Sequence, residues 1–251
     1  MRTTVRGVSW TRWDGRQLVR AALATVLTLG VAWLVTAATD EGGVSWGERA
    51  GRTLPLTPLC ATAGAWVALA PALTRGETLA LEALGRSRAQ IVAAAVMGGA
   101  LVALVASVTL GLLRAVDVAG FFPTATHASA WTWRGAAFLD PVHGLRVAAD
   151  GAPVRIAADA GRALAGIPPY GRASAAAVTA LAGLALPLLL AHALIERSRV
   201  LPAALAAGAA VAASVLFFQA AAAGHLHAVL GTLPAAMLLA FAVRRYRGRH
   251  G

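Results

Sequence analysis

The 251-residue chain is 58% hydrophobic and 13% charged, with a mean hydropathy of +0.68, against roughly 45–50% apolar and 25% charged residues in soluble domains. That excludes an ordinary soluble domain and reads as a membrane protein. Its net charge of +11 is carried by arginine alone, since no lysine occurs, and the arginines flank apolar runs instead of forming a patch with interleaved aromatics, which argues against a nucleic-acid partner.

Uncharged runs long enough to cross ~30 Å of hydrocarbon, about 20 residues each, fall at 21–38, 53–74, 89–113, 173–195, 200–224 and 226–243. The first follows Arg12, Arg16 and Arg20 like the core of a signal peptide. It is longer than the roughly 7–15 residues of such a core, however, and reads as a retained first helix. Lysine and arginine in short loops are held on the cytoplasmic side. With the N-terminus inside, the inside segments collect fourteen of the 22 arginines against four acids, and the outside segments hold eight against seven. Both termini and the segment 76–91 of a multi-pass membrane protein are therefore expected in the cytoplasm, and 114–172 outside.

That outside segment is the one part with soluble-like composition. It alternates apolar and polar residues around turn signals at Asp140-Pro141, His143-Gly144 and Asp150-Gly151. This predicts a small β-rich unit of four or five short strands, one near 131–138 and another near 145–149. The expected class is an all-α membrane protein of six transmembrane helices, three and three, with a β-rich periplasmic insertion between helices three and four. It divides into a membrane half at 1–113, the insertion at 114–172 and a second membrane half at 173–251.

Classical chemistry is sparse. The single Cys60 excludes an intrachain disulfide and a cysteine-cluster metal site. His225-x-His227 lacks a third ligand nearby and reads as the polar end of a helix pair. His192 and Glu196 share a helical face, but there is neither a His-Glu-x-x-His zinc motif nor a Gly-x-Ser-x-Gly elbow. Without lysine a Walker A phosphate loop is impossible. No cofactor, no metal and no catalytic residue are expected, and any ATPase must be a separate polypeptide.

The segment 76–91, GETLALEALGRSRAQI, is neither apolar enough to span nor polar enough to be a plain loop. Its pattern Glu77-x-x-Ala80-Leu81-x-Ala83-x-Gly85-x-Ser87, placed just before a third membrane helix, resembles the cytoplasmic coupling segment of lipopolysaccharide-export permeases, the LptF/LptG type. LPLTPL at the start of the second run looks like that family's proline-bearing second helix. Phe217, Phe218, Gln219, Gly224 and Pro234 look like features of its fifth and sixth. The resemblance implies a permease subunit of an ABC exporter, lying in the bacterial inner membrane, that extracts lipopolysaccharide or a related amphiphilic lipid from that membrane and passes it toward the outer membrane. Its partners would be cytoplasmic ATPase subunits, a second permease copy or a related one, and a periplasmic acceptor.

On this reading a coupling helix at about 76–86 seats in a groove of the ATPase. Leu79, Leu81 and Leu84, with small Ala80 and Ala83, would pack closely there. Glu77 in the first turn favours the helix dipole and can accept a charge-assisted hydrogen bond from an ATPase arginine. Gly85 ends the helix, as glycine commonly does. The plainer alternative is an interfacial turn whose Glu77 merely caps the helix. Helices one and five would line a lipid cavity between two facing copies, with Leu27, Val31, Phe217 and Phe218 as an apolar wall. Gln219 would contact lipid, or alternatively make a helix-to-helix hydrogen bond.

The chain departs from the family at two places. Thr39-Asp40-Glu41 stands where the family carries basic residues, and the outside segment is far shorter. With Glu48 also at that rim, beside only Arg49 and Arg52, a neutral or weakly anionic head group, or a lipid A derivative with fewer phosphates, is expected. Other classes of answer are an exporter of another lipid or of a lipoprotein, and a non-transporting scaffold of the same fold.

Overall fold

The computed structural model describes residues 10–39, 44–118, 132–134, 137–140, 145–148, 150–151, 153–155, 172–196, 199–222 and 225–247. Among them are eight α-helices: α1 (Arg12–Thr39), α2 (Trp46–Thr53), α3 (Thr57–Thr74), α4 (Glu77–Ala83), α5 (Arg88–Leu112), α6 (Arg172–Glu196), α7 (Val200–Ala222) and α8 (Leu233–Arg247). They make six spans long and apolar enough to cross a membrane. The second joins α2 to α3 through a 3-10 turn at Leu54–Leu56, and the sixth joins a 3-10 turn at Ala228–Thr232 to α8. The chain is a multi-pass helical membrane protein.

The second span begins at Trp46, well before the apolar run expected from 53. Ser45 starts it with a capping box: its hydroxyl accepts from Glu48 N at 3.3 Å, and Glu48 Oε2 accepts from Ser45 N at 3.0 Å. Two orphan donors of the first turn are thereby satisfied. Glu48 is thus engaged in its own helix, while Asp40 and Glu41 lie outside the described residues. Pro55 and Pro58 sit in the opening turns of the 3-10 segment and of α3. Those positions have no intrahelical N–H bond to lose, so the span continues through both prolines.

The spans alternate in direction. One end of the bundle gathers the start of α1, the end of α3, all of α4, the start of α5 and the end of α6. It is called the α4 end below. At its centre α3, α5 and α6 pack on one another, α1 lies against α3 and α5, and α8 lies against α6. The most apolar stretches of α1 and α7 are only 11% buried, against 50–56% for α3, α5 and α6. The outermost spans are therefore the first and the fifth.

Small residues set these distances. A Cβ at Gly64 would collide with Thr25 Oγ1 and the Ala21 carbonyl, and one at Gly98 with the Leu18 carbonyl. The inner half of α1 thus touches two neighbours backbone to backbone, the close approach by which membrane helices gain packing without a hydrophobic drive between them. Ala21, Ala65, Leu69, Val92, Ala95 and Ala191 fill the layer around that contact. Farther along, Ser107 Oγ donates to the Ala176 carbonyl at 2.6 Å, cross-linking α5 to α6. Arg172, at the start of α6, donates to the carbonyls of Leu113, Arg114 and Val116 at 2.8, 3.2 and 2.9 Å.

Between α5 and α6 four short strands, β1 (Thr132–Arg134), β2 (Ala137–Asp140), β3 (Leu145–Ala148) and β4 (Pro153–Arg155), pair antiparallel in chain order. Arg134 pairs with Ala137, so the chain reverses inside the stretch 131–138 that the alternation suggested as one strand. Alternation alone does not register a reversal when the turn is short. Gly151 has φ +77° between β3 and β4, a conformation glycine adopts without a Cβ clash.

Candidate functional site

The segment 76–91 folds as a short helix pinned between two spans. Gly76, at φ +72°, turns the chain out of α3, and α4 runs from Glu77 to Ala83. The helix is shorter than the expected 76–86 because Gly85, at φ +84°, closes it. Gly85 N donates to the Glu82 carbonyl at 2.9 Å and Arg86 N to the Leu81 carbonyl at 3.0 Å, the paired bonds of a Schellman cap. Ser87 then opens α5 with a second capping box, its hydroxyl accepting from Gln90 N at 3.3 Å while Gln90 Oε1 accepts from Ser87 N at 3.0 Å. Ser87 therefore has a local duty in starting α5.

The two faces of α4 differ. Thr78 is buried and Leu81 half-buried, whereas Leu79, Ala80, Ala83 and Leu84 are exposed, with Leu79 at 69% and Leu84 at 80%. An apolar face thus projects from the bundle. Glu77, one turn before Ala80 and Leu81, faces the start of α1. Trp13 Nε1 donates to its Oε2 at 3.1 Å, and Arg75 Nη1 stands 3.6 Å from Oε1. An arginine from a partner would find this carboxylate already engaged.

A second clamp holds the far end of α4. Arg86 Nη2 donates to Asp14 Oδ1 and Oδ2 at 2.8 and 2.9 Å. Thr11 N and Oγ1 add bonds to Oδ2 at 2.9 and 2.7 Å. Asp14 is almost fully buried, and the Arg86 guanidinium also lies 5.7 Å from the centre of the Trp13 ring. Trp13 and Asp14, adjacent on α1, therefore grip α4 at Glu77 and just past its end at Arg86. Arg88 Nε bonds Glu82 Oε1 at 2.9 Å across the cap. The bonds of Trp13 and Asp14 tie both ends of the α4 segment to the start of α1.

Beside this clamp lies a cleft of about 300 Å³ lined by Trp13, Arg16, Gln17, Arg20, Arg75 and Glu77, with Ala80 and Leu81 as its apolar floor. Sequence reading missed it, because its arginines were counted for topology and Gln17 carried no signal of its own. The residues expected at a lipid cavity differ in exposure. Leu27 and Val31 are exposed on α1 and Gln219 is exposed on α7, while Phe217 is half-buried. Phe218 points inward instead, 4% exposed, packed with Val118, Ala175, Val178 and Ala235 and flat against Gly231. In an all-apolar helix, periodicity does not separate the lipid face from the packing face.

At the α4 end of the other half, the Glu196 side chain is also nearly buried, with His192 Nδ1, Arg199 Nε and Arg245 Nη2 at 3.5, 3.7 and 3.8 Å. His227 Nδ1 accepts from Val229 N at 3.4 Å, starting the last span. Among the described residues no three metal-ligating side chains gather. No protein-family model matches the chain, and no curated protein is significantly similar to it.

Proposed function

We propose that this chain is the permease subunit of an ABC exporter that moves lipopolysaccharide or a related amphiphilic lipid from the inner membrane toward the outer membrane, with α4 as the element that a separate cytoplasmic ATPase moves. The observation that carries this reading is the exposed apolar face of Leu79, Ala80, Ala83 and Leu84 on a helix clamped at both ends to α1. An exposed apolar patch outside the membrane calls for a partner, and a rigidly held one can pass on the partner's motion. The likeness of Glu77 through Ser87 to the coupling segment of lipopolysaccharide-export permeases supports it further. The low burial of α1 and α7 fits a two-fold pairing in which these spans, with Leu27, Val31 and Phe217, face a second permease across a lipid-sized space. The four strands are read as a reduced external unit that hands lipid to an acceptor.

The test is recovery of the ATPase with the tagged chain in mild detergent. Leu84→Asp changes a residue that contacts little of its own fold, and as an interface anchor it should cost at least about 2 kcal/mol of docking, leaving little ATPase bound. Equal recovery with parent and variant would discard the coupling role and favour a membrane scaffold. Orientation is tested by Leu84→Cys on a Cys60→Ala background. This cysteine should resist membrane-impermeant maleimide in intact cells and react after lysis.

A further inference from the structure

The cleft at the α4 end combines three features. Arg16 and Arg20, one turn apart on α1, line it together with Arg75, so three arginines share the cleft with the one carboxylate of its lining, Glu77. Gln17, between the two α1 arginines, is 2% exposed, and its Oε1 has no hydrogen-bond partner. A buried amide oxygen left without a donor is costly, and such groups are normally satisfied. The occupant that completes this site must bring negative charge for the arginines and an O–H for Gln17.

A third feature selects the source of that chemistry. Leu23 and Leu27 lie seven residues beyond Arg16 and Arg20, two helical turns along the same face, and they are 59% and 70% exposed. Charge at the cleft therefore runs straight into an uncovered apolar stripe. Trp13 beside it is the residue type that settles at membrane–water interfaces.

We propose that this cleft binds the head group of an anionic phospholipid of the phosphatidylglycerol class, drawn from the leaflet at the α4 end. The phosphate sits among Arg16, Arg20 and Arg75, a glycerol hydroxyl donates to Gln17 Oε1, and an acyl chain lies along Leu23 and Leu27. Basic pockets beside membrane helices hold anionic head groups in this way. The site needs only the membrane-protein character of the chain and does not depend on its being an exporter.

The experiment is a lipid titration of the delipidated full-length chain in detergent, read by native mass spectrometry. It compares phosphatidylglycerol, phosphatidylmethanol (the same charge without hydroxyls) and phosphatidylcholine. Phosphatidylglycerol should bind most tightly, and Arg16→Ala and Arg20→Ala should each weaken it about five-fold. Arg244→Ala, an exposed arginine on another helix, should leave it unchanged. Gln17→Leu should erase the preference over phosphatidylmethanol while keeping the preference for charge. Equal binding of phosphatidylglycerol and phosphatidylcholine, or an Arg244→Ala loss as large as that of Arg20→Ala, would overturn the site. Binding of soluble glycerol phosphate as tight as that of the lipid would make it a soluble-anion site and equally defeat the proposal. Because these readouts involve no ATPase, their failure leaves the exporter reading standing, and failure of that reading leaves them interpretable.

Discussion

Asp14 and Glu196 are two carboxylates at the same end of the bundle, one in each half, with side chains only 5% and 4% exposed. Asp14 is held by direct bonds of 2.7 to 2.9 Å from Thr11 and Arg86. Glu196 is ringed by His192, Arg199 and Arg245 at 3.5 to 3.8 Å. The first arrangement fixes geometry, because a hydrogen bond weakens steeply with distance and angle. The second balances charge, since Coulomb attraction falls slowly with distance and tolerates movement. The tight carboxylate is the one beside α4, where it fixes the residue just past that helix to the start of α1. The looser one gathers α6, the start of α7 and α8, where it need only be neutralised.

The contrast is broken most directly at Arg86. Arg86→Ala leaves Asp14 buried without its counter-charge and should cost about 3–5 kcal/mol. Cys60, only 6% exposed in the core of α3, supplies the measurement, since a thiol-reactive dye added during heating in mild detergent reports unfolding. Trp13→Phe keeps an aromatic face for Arg86 and removes only the indole donor to Glu77. It should cost about 1.5 kcal/mol, the lower end for a hydrogen bond to a charged group, and should loosen α4 to proteolysis before it lowers the melting temperature. Glu196→Gln, in the tolerant ring, should cost about 1 kcal/mol. If it cost more than Arg86→Ala, the distinction between the two carboxylates would be wrong. Arg88→Ala removes a half-exposed pair with Glu82 and should stay within about 0.5 kcal/mol by the same dye assay.

The sequence was most legible where physics is local or averaged over a whole span. Six apolar runs announce six spans because membrane thickness fixes their length, and Gly85 announces the end of α4 because only a residue without Cβ takes φ +84° there cheaply. The early start of the second span was missed for want of apolar residues. Yet Ser45 and Glu48, three apart, carry the capping-box signature, as do Ser87 and Gln90, and both could have been read. Asp14 and Arg86 are 72 residues apart, and nothing near either points to the other, so the clamp and the cleft beside it needed the fold. Phe218 shows the remaining limit: hydrophobicity says that a side chain leaves water and not whether it meets lipid or Gly231.

The three carbonyl bonds of Arg172 have a consequence for how this chain can be rebuilt. One side chain ties the stretch just past α5 to the first turn of α6, so Val116 and Arg172 are held within a single hydrogen bond of each other. A segment whose two ends meet so closely is a cassette, exchangeable without altering the frame that receives it. Its length is thereby uncoupled from the packing of α5 on α6, so residues can be added or removed there without moving either helix.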